Sequence, residues 1–204
     1  MKSIKTIILL LSLFVGLSAK NYTTIFGGTN IANVKYNSKD IHNLIDPENI
    51  IGYRLGFEKT INFYRLGLTI TQRGHSSDKY LAPADEYTAK MNYLTGYVCL
   101  PFRLHEGKAG IDLFVGLEAG HYMKGSYILT VGSESERVPT NSGGIAMDCG
   151  LLLGIDSWYN DTVGFRLAYL LGLTNIDDNM DYEDTGYHKG IIINLLYRIK
   201  SKDI

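Results

Sequence analysis

Val163-Gly164-Phe165-Arg166-Leu167-Ala168-Tyr169-Leu170-Leu171-Gly172-Leu173 alternates with a period of two. The odd positions are all apolar, whereas the even positions hold small residues, one leucine and Arg166. Successive side chains of a pleated strand point to opposite faces, so this stretch reads as a strand with one wholly apolar face and one mixed, charged face. Working outward, Ile191, Ile193, Leu195, Tyr197 and Ile199 oppose Ile192, Asn194, Leu196, Arg198 and Lys200. On the other side, Ile145, Met147, Cys149, Leu151, Leu153 and Ile155 oppose Ala146, Asp148, Gly150, Leu152, Gly154 and Asp156. Before them, Ile111, Leu113, Val115, Leu117 and Ala119 oppose Asp112, Phe114, Gly116, Glu118 and Gly120.

Three further segments obey the same rule. Ile51, Tyr53, Leu55 and Phe57 face away from Arg54 and Glu58; Tyr64, Leu66, Leu68 and Ile70 face away from Arg65 and Arg73. Leu94, Val98, Leu100, Phe102 and Leu104 face away from Tyr97, Cys99, Pro101 and Arg103. Pro101 lacks a donor for a strand ladder and so marks a bulge or an edge. With a first strand over 23–34, eight strands are expected. The connections 35–49, 74–86, 125–144 and 175–187 are long and polar, and they alternate strictly with short ones. That alternation puts every long loop at one end of an eight-stranded antiparallel up-and-down barrel and both termini at the other.

Composition narrows the class. The 204 residues are 45% hydrophobic and 20% charged, which supports one packed unit and excludes wholesale disorder. Twenty basic residues nearly cancel 21 acidic ones, so no positive field exists to attract nucleic acid. The 22 glycines and 15 tyrosines with only 4 prolines suit tightly turned, aromatic-rich β structure. Residues 1–19 begin with Lys2 and Lys5, continue through the apolar run 7–17 and end on Ser18-Ala19, the layout of a cleavable signal peptide. The run is much shorter than the roughly 20 residues a membrane-spanning helix needs. Cleavage there leaves residues 20–204 as the barrel domain. Cys99 and Cys149 fall on opposite faces and are expected to stay free thiols.

Which face looks outward decides the class. A soluble carrier of the lipocalin kind would turn its apolar face inward and overfill an eight-stranded interior with Phe, Tyr and Leu. Turned outward, the same face is solvated by lipid. Arg54, Glu58, Arg65, Arg103, Asp112, Glu118, Asp148, Asp156, Arg166 and Arg198 then form a lumen charge network, with Arg73 on the same side. An Arg at mid-bilayer would cost roughly 2 to 4 kcal/mol, and lipid cannot satisfy an open sheet edge. The chain is therefore expected to be all-β, a transmembrane barrel. Tyr53, Tyr64, Phe102, Tyr169 and Tyr197 are candidates for interfacial anchors.

Gly28-Thr29-Asn30-Ile31-Ala32 and Val98-Cys99-Leu100-Pro101-Phe102 resemble the Gly-x-Asn-x-Ser/Ala and Leu-Glu-x-Pro-Leu strands of the small outer-membrane β-barrels often labelled "porin family". Two departures stand out: Cys99 replaces the usual Glu, and Ser201-Lys202-Asp203-Ile204 follows where the family ends on an aromatic. The resemblance implies an outer-membrane protein with long loops outside and termini in the periplasm. Its implied partners are outer-membrane lipid, lipopolysaccharide and, during insertion, the barrel-assembly machinery, with a monomer as the expected state.

Candidate chemistry is sparse. His75, Ser76, Ser77 and Asp78 supply the residue types of a hydrolase triad, but neighbours on one segment aim poorly at each other, and a solvated loop is expected instead. His121 is expected at the interface rather than as a base. Asp177, Asp178, Asp181, Glu183 and Asp184 read as a solvated acidic loop lacking the order of a dedicated calcium site. Gly27-Gly28 opens no phosphate-binding loop and suits close packing. No catalytic residue, cofactor or metal site is assigned. The leading expectation is a non-enzymatic barrel with a sealed, charged lumen and long loops for surface interaction or envelope integrity. A small-solute porin, a membrane-embedded lipid hydrolase and a soluble carrier are the competing classes.

Overall fold

Antiparallel strands account for most of the computed structural model, which describes residues 22–79, 85–105, 109–140, 147–175 and 186–199. The elements are β1 (Tyr22–Tyr36), α1 (Lys39–Ile45), β2 (Ile50–Ile61), β3 (Tyr64–Ser77), β4 (Glu86–His105), β5 (Gly110–Val131), β6 (Glu134–Thr140), β7 (Met147–Trp158), β8 (Val163–Gly172) and β9 (Gly186–Ile199). Pairing runs β4-β3-β2-β1-β9-β8-β7-β5, and β4 also pairs with β5, which closes a ring of eight strands. Residues 1–19, expected as a signal peptide, and the acidic stretch Asp177 to Asp184 lie outside the described residues. No helix among the described residues is long and apolar enough to cross a membrane, which says nothing of a β-barrel.

The period of two sets the wall. In β7 the outward Leu153 and Ile155 are about two-fifths exposed, while Leu152 and Asp156 are buried. In β8, Phe165, Leu167, Tyr169 and Leu171 are exposed between buried Gly164, Arg166, Ala168 and Leu170. An aqueous surface built of such side chains would lose roughly 25 cal/mol for each Å² of apolar area left in water, whereas acyl chains solvate it. Closure gives each ring strand two neighbours, as a sheet in hydrocarbon requires. Cys99 is buried in the lumen, Cys149 is half-buried on the outer side, and both thiols are free.

Three expected connections differ in detail. The 35–49 connection contains α1, whose Ile45 packs against Val34 and Tyr36. The 125–144 connection is largely a hairpin: β5 continues to Val131, turns through Gly132 at φ 58°, and returns as β6 with Val131 opposite Glu134. A glycine suits that turn because other side chains clash at positive φ. β6 pairs with β5 and lies outside the closed ring. The 74–86 connection is shorter, because β3 continues to Ser77 and pairs with β4, which starts at Glu86 and runs beside the extended β5, so a sheet projects from the loop end of the barrel. At the opposite end, β4 runs past its last pair with β3, Arg65 opposite Cys99, which leaves Pro101 on a free edge.

The projecting sheet reverses polarity. Within the barrel β4 turns Leu94, Val98 and Leu104 outward; beyond Asn92 it turns Lys90, Thr88 and Glu86 outward and buries Met91, Ala89 and Tyr87. The change coincides with a bulge, since Asn92 opposes Lys124 and Tyr93 opposes Tyr122, leaving Met123 as the extra residue. Asn92 ties the rim together: its Oδ1 accepts from Tyr53 OH at 2.7 Å and from Gln72 Nε2 at 3.2 Å, and its Nδ2 donates to the Lys124 carbonyl at 3.2 Å. This polar band marks the loop-end limit of the apolar surface. Tyr53 sits on it as an interfacial anchor would, whereas Tyr169, opposite Leu153 at the middle of β7, lies within the apolar band.

The rim predicts a position-dependent cost of charge. Leu153→Arg should destabilise the barrel in lipid vesicles by about 2–4 kcal/mol, and Thr88→Arg, beyond the rim, by no more than about 1 kcal/mol. Equilibrium urea unfolding of the two variants measures the difference.

Candidate functional site: the charged lumen

Two ion-pair networks cross the interior, each joining strands that are not neighbours in the ring. The first begins where Arg103 on β4 donates to Asp112 on β5, Nε to Oδ1 at 2.7 Å and Nη2 to Oδ2 at 3.1 Å. Arg65 on β3 donates to the same Asp112 at 2.7 Å and to Asp156 on β7. Asp156 also accepts from Arg166 on β8, from Nε at 2.7 Å and Nη2 at 2.8 Å. Arg166 reaches on to Glu58 on β2 at 2.9 Å, and the Tyr97 hydroxyl donates to Glu58 at 2.7 Å.

The second network lies nearer the loop end. Glu118 on β5 accepts from Arg54 on β2, with Nη1 to Oε1 at 3.2 Å, and from Arg73 on β3. Arg73 also donates to Asp148 on β7, whose Oδ2 lies 2.9 Å from Nδ1 of His188 on β9. Tyr97 faces both networks, since its hydroxyl meets Glu58 and the Arg54 guanidinium lies 5.7 Å from its ring centroid. The Tyr97 ring has room because β3 offers Gly67 beside it; a Cβ at Gly67 would stand 2.1 Å from a ring carbon.

Apart from Arg103, whose side chain is 26% exposed, the paired arginines and carboxylates have at most 3% of their side chains in contact with solvent. At that burial an unpaired charge is expensive, and each carboxylate here accepts from at least two donors. Guanidinium planes also lie near rings, Arg166 at 4.8 Å from the centroid of Phe114 and 5.4 Å from that of Phe26. The wall formed by β7, β8 and β9 also carries apolar side chains inside, with Leu152, Leu170, Ile192 and Leu196 almost wholly buried between the charged groups.

Two expectations need correction. Arg198 points into the lumen, but no ion pair joins it to a carboxylate among the described residues; it stacks on Tyr22 and Trp158 instead. His75, Ser76 and Ser77 are not solvated: they end β3 and are buried, because that strand continues beyond the apolar band into the projecting sheet. Within it the Tyr87 hydroxyl meets His75 Nε2, with Tyr36 OH 3.5 Å from the same atom, and Ser77 Oγ donates to the Ile45 carbonyl. Those contacts give His75 no serine to activate. Asp78 is exposed, and neighbouring Lys79 pairs with Asp46. That exposed contact holds the Asp46 carboxyl below its usual range and the Lys79 ammonium above its own. Among the described residues no group of three or more His, Cys, Asp or Glu side chains is placed to hold a metal ion. His121 is exposed on the outer side of β5.

No family model and no curated protein matches the sequence. Solved structures do match its shape. Neisserial surface protein A (NspA) superposes with a TM-score of 0.56 at 10% identity, covering 88% of this chain and 97% of that one. The chain has the fold of the small outer-membrane β-barrels. Ail, the attachment invasion locus protein of Yersinia pestis, is also similar, at TM-score 0.48, 12% identity and coverage of 88% of this chain and 99% of that one. Its complex with the heparin analogue sucrose octasulfate gives the same TM-score and coverage at 13% identity. In this outer-membrane-type barrel eight strands form the ring, and the ninth, β6, belongs to the projecting hairpin.

Glu118 is the sharpest test of the networks, because it stands between two buried arginines. Glu118→Gln should cost about 3–5 kcal/mol of unfolding free energy, as expected when one partner of a buried pair is removed. Replacing the pair together, Arg54→Met with Glu118→Leu, should cost less, since Arg73 keeps Asp148. Urea unfolding in vesicles checks the order.

Proposed function

We propose that this chain is a non-enzymatic, integral outer-membrane protein whose lumen is sealed and whose projecting loop end serves surface interaction or envelope integrity. The single observation that carries the reading is the division of side chains across the wall: isoleucine, leucine and tyrosine outside, paired arginines and carboxylates inside. Lipid solvates the first set and would expel the second. The loop end faces outward from the cell and the short-turn end faces the periplasm, in keeping with the signal-peptide layout of residues 1–19.

Sealing follows from reach. Arg65 to Asp156, Arg166 to Glu58 and Arg73 to Asp148 each join strands three apart in the ring of eight, so these bonds pass across the interior. An eight-stranded barrel has an interior just wide enough to be filled by side chains. Function then moves to what the barrel holds up, the sheet of β4, β5 and β6 beyond the Asn92 rim. The engaged Ser77 hydroxyl and the tyrosines on His75 support a structural rather than catalytic role for that cluster.

Planar-bilayer recording of the refolded protein should show no stable large conductance, and reproducible openings would overturn the sealed lumen. Phospholipid release by the parent and by His75→Ala should be equal and at background; activity in the parent that the substitution removes would establish an enzyme. Carbonate or urea extraction of cells should leave the protein with the envelope.

A further inference from the structure

Five of the lumen arginines donate to carboxylates; Arg198 has none among the described residues. Its guanidinium lies between two rings, 3.8 Å from the Tyr22 centroid and 3.7 Å from the Trp158 centroid. Nε and Nη2 are buried without an acceptor among the described residues. These two atoms form one edge of the planar cation, the fork that meets a carboxylate or phosphate group bidentately. The nearby carboxylates are already used, Asp112 by Arg65 and Arg103 and Glu58 by Arg166 and Tyr97.

Other unsatisfied donors gather at the same end of the lumen. Among the described residues Trp158 Nε1 is buried without an acceptor, and the buried hydroxyls of Thr24 and Thr60 have no hydrogen-bond partner. Thr24 is the direct cross-strand partner of Arg198, and Thr60 is that of Tyr22. Their side chains are at most 2% exposed. The indole has a fixed seat, because a Cβ at Gly164 would stand 2.7 Å from its ring. A half-buried cation held between two aromatic faces, with one buried edge and three neutral donors unmatched, lacks one thing: an acceptor carrying negative charge.

We propose that Arg198, Trp158, Thr24 and Thr60 form a binding site for a small oxyanion, a phosphate or carboxylate group, at the short-turn end of the lumen. Arg198 supplies the fork and the charge, and the hydroxyls and indole N–H supply further donors. The site is separate from both ion-pair networks and does not depend on whether the lumen conducts.

Trp158 is the only tryptophan of the chain, so its fluorescence reports on the site directly. The full barrel, refolded in detergent, is titrated at constant ionic strength with inorganic phosphate, with acetate, and with chloride as reference. A saturable change in emission is expected with phosphate or acetate and not with chloride; the tighter of the two identifies the preferred group. Arg198→Gln should weaken the response at least tenfold, Arg198→Lys should recover part of it, and Thr24→Val should weaken it a few-fold. Heat-modifiable migration shows which variants have folded. A parent that gives no saturable response overturns the proposal, and so does a carboxylate from elsewhere in the chain that already fills the fork and blocks the titration. A folded Arg198→Gln that titrates like the parent also overturns it. If Arg198→Gln does not fold, Thr24→Val decides, and an unchanged affinity counts against the site.

Discussion

Hydrocarbon neither hydrogen-bonds a peptide group nor solvates a charge, and on the proposed membrane reading the molecule is organised around that inability. Unpaired ladder groups within an acyl layer cost several kcal/mol each, so the sheet must close, and the β4–β5 pairing closes it. Charged side chains must then take the inner face, which places arginines and carboxylates opposite one another across a narrow interior. The constraint stops at the Asn92 rim. Beyond it water wets the outer face, and the strands turn Lys90, Thr88 and Glu86 outward while burying Tyr87, Ala89 and Met91. One continuous strand, β4, thus obeys two solvents in turn.

The lumen converts a cost into cross-strand ties. Burying so many ions is unfavourable for each alone, and the networks offset this by giving every paired carboxylate several donors. Because the ties from Arg65 to Asp156, Arg73 to Asp148 and Arg166 to Glu58 join strands that share no ladder, they oppose ovalisation of the ring. Small residues make this packing feasible: Gly67 yields space to Tyr97 and Gly164 to Trp158. The lumen side chains are thus packed as a protein core of salt bridges and rings.

The barrel was legible in the sequence wherever the outward residues were uniformly apolar, as in Val163 to Leu173, because lipid tolerates no exception there. Above the rim the alternation persists with its sign reversed, so the outward apolar residues that mark a strand stop at Leu94 although β4 continues to Glu86. His75 to Ser77 were misplaced for the same reason: β3 continues there with inward-facing polar groups. The set of inward charges was readable from parity, but their partners were not, since Arg65 meets Asp156 from 91 positions away and a strand's sequence does not encode its register around a ring. Parity groups Arg198 with the ion pairs, whereas its neighbours are Tyr22 and Trp158. The available hint was an inward-facing tryptophan with a glycine, Gly164, across the strand.

The direction in which Leu153 points tests all of this most directly. In a chain with Cys99→Ala and Cys149→Ala, Leu153→Cys can carry an environment-sensitive fluorophore after reconstitution into vesicles. Nitroxide groups on the lipid acyl chains should quench that label strongly, and aqueous iodide should leave it bright. Quenching by iodide without quenching by the acyl nitroxides would mean that the apolar face meets water or the barrel interior, and the account would be wrong.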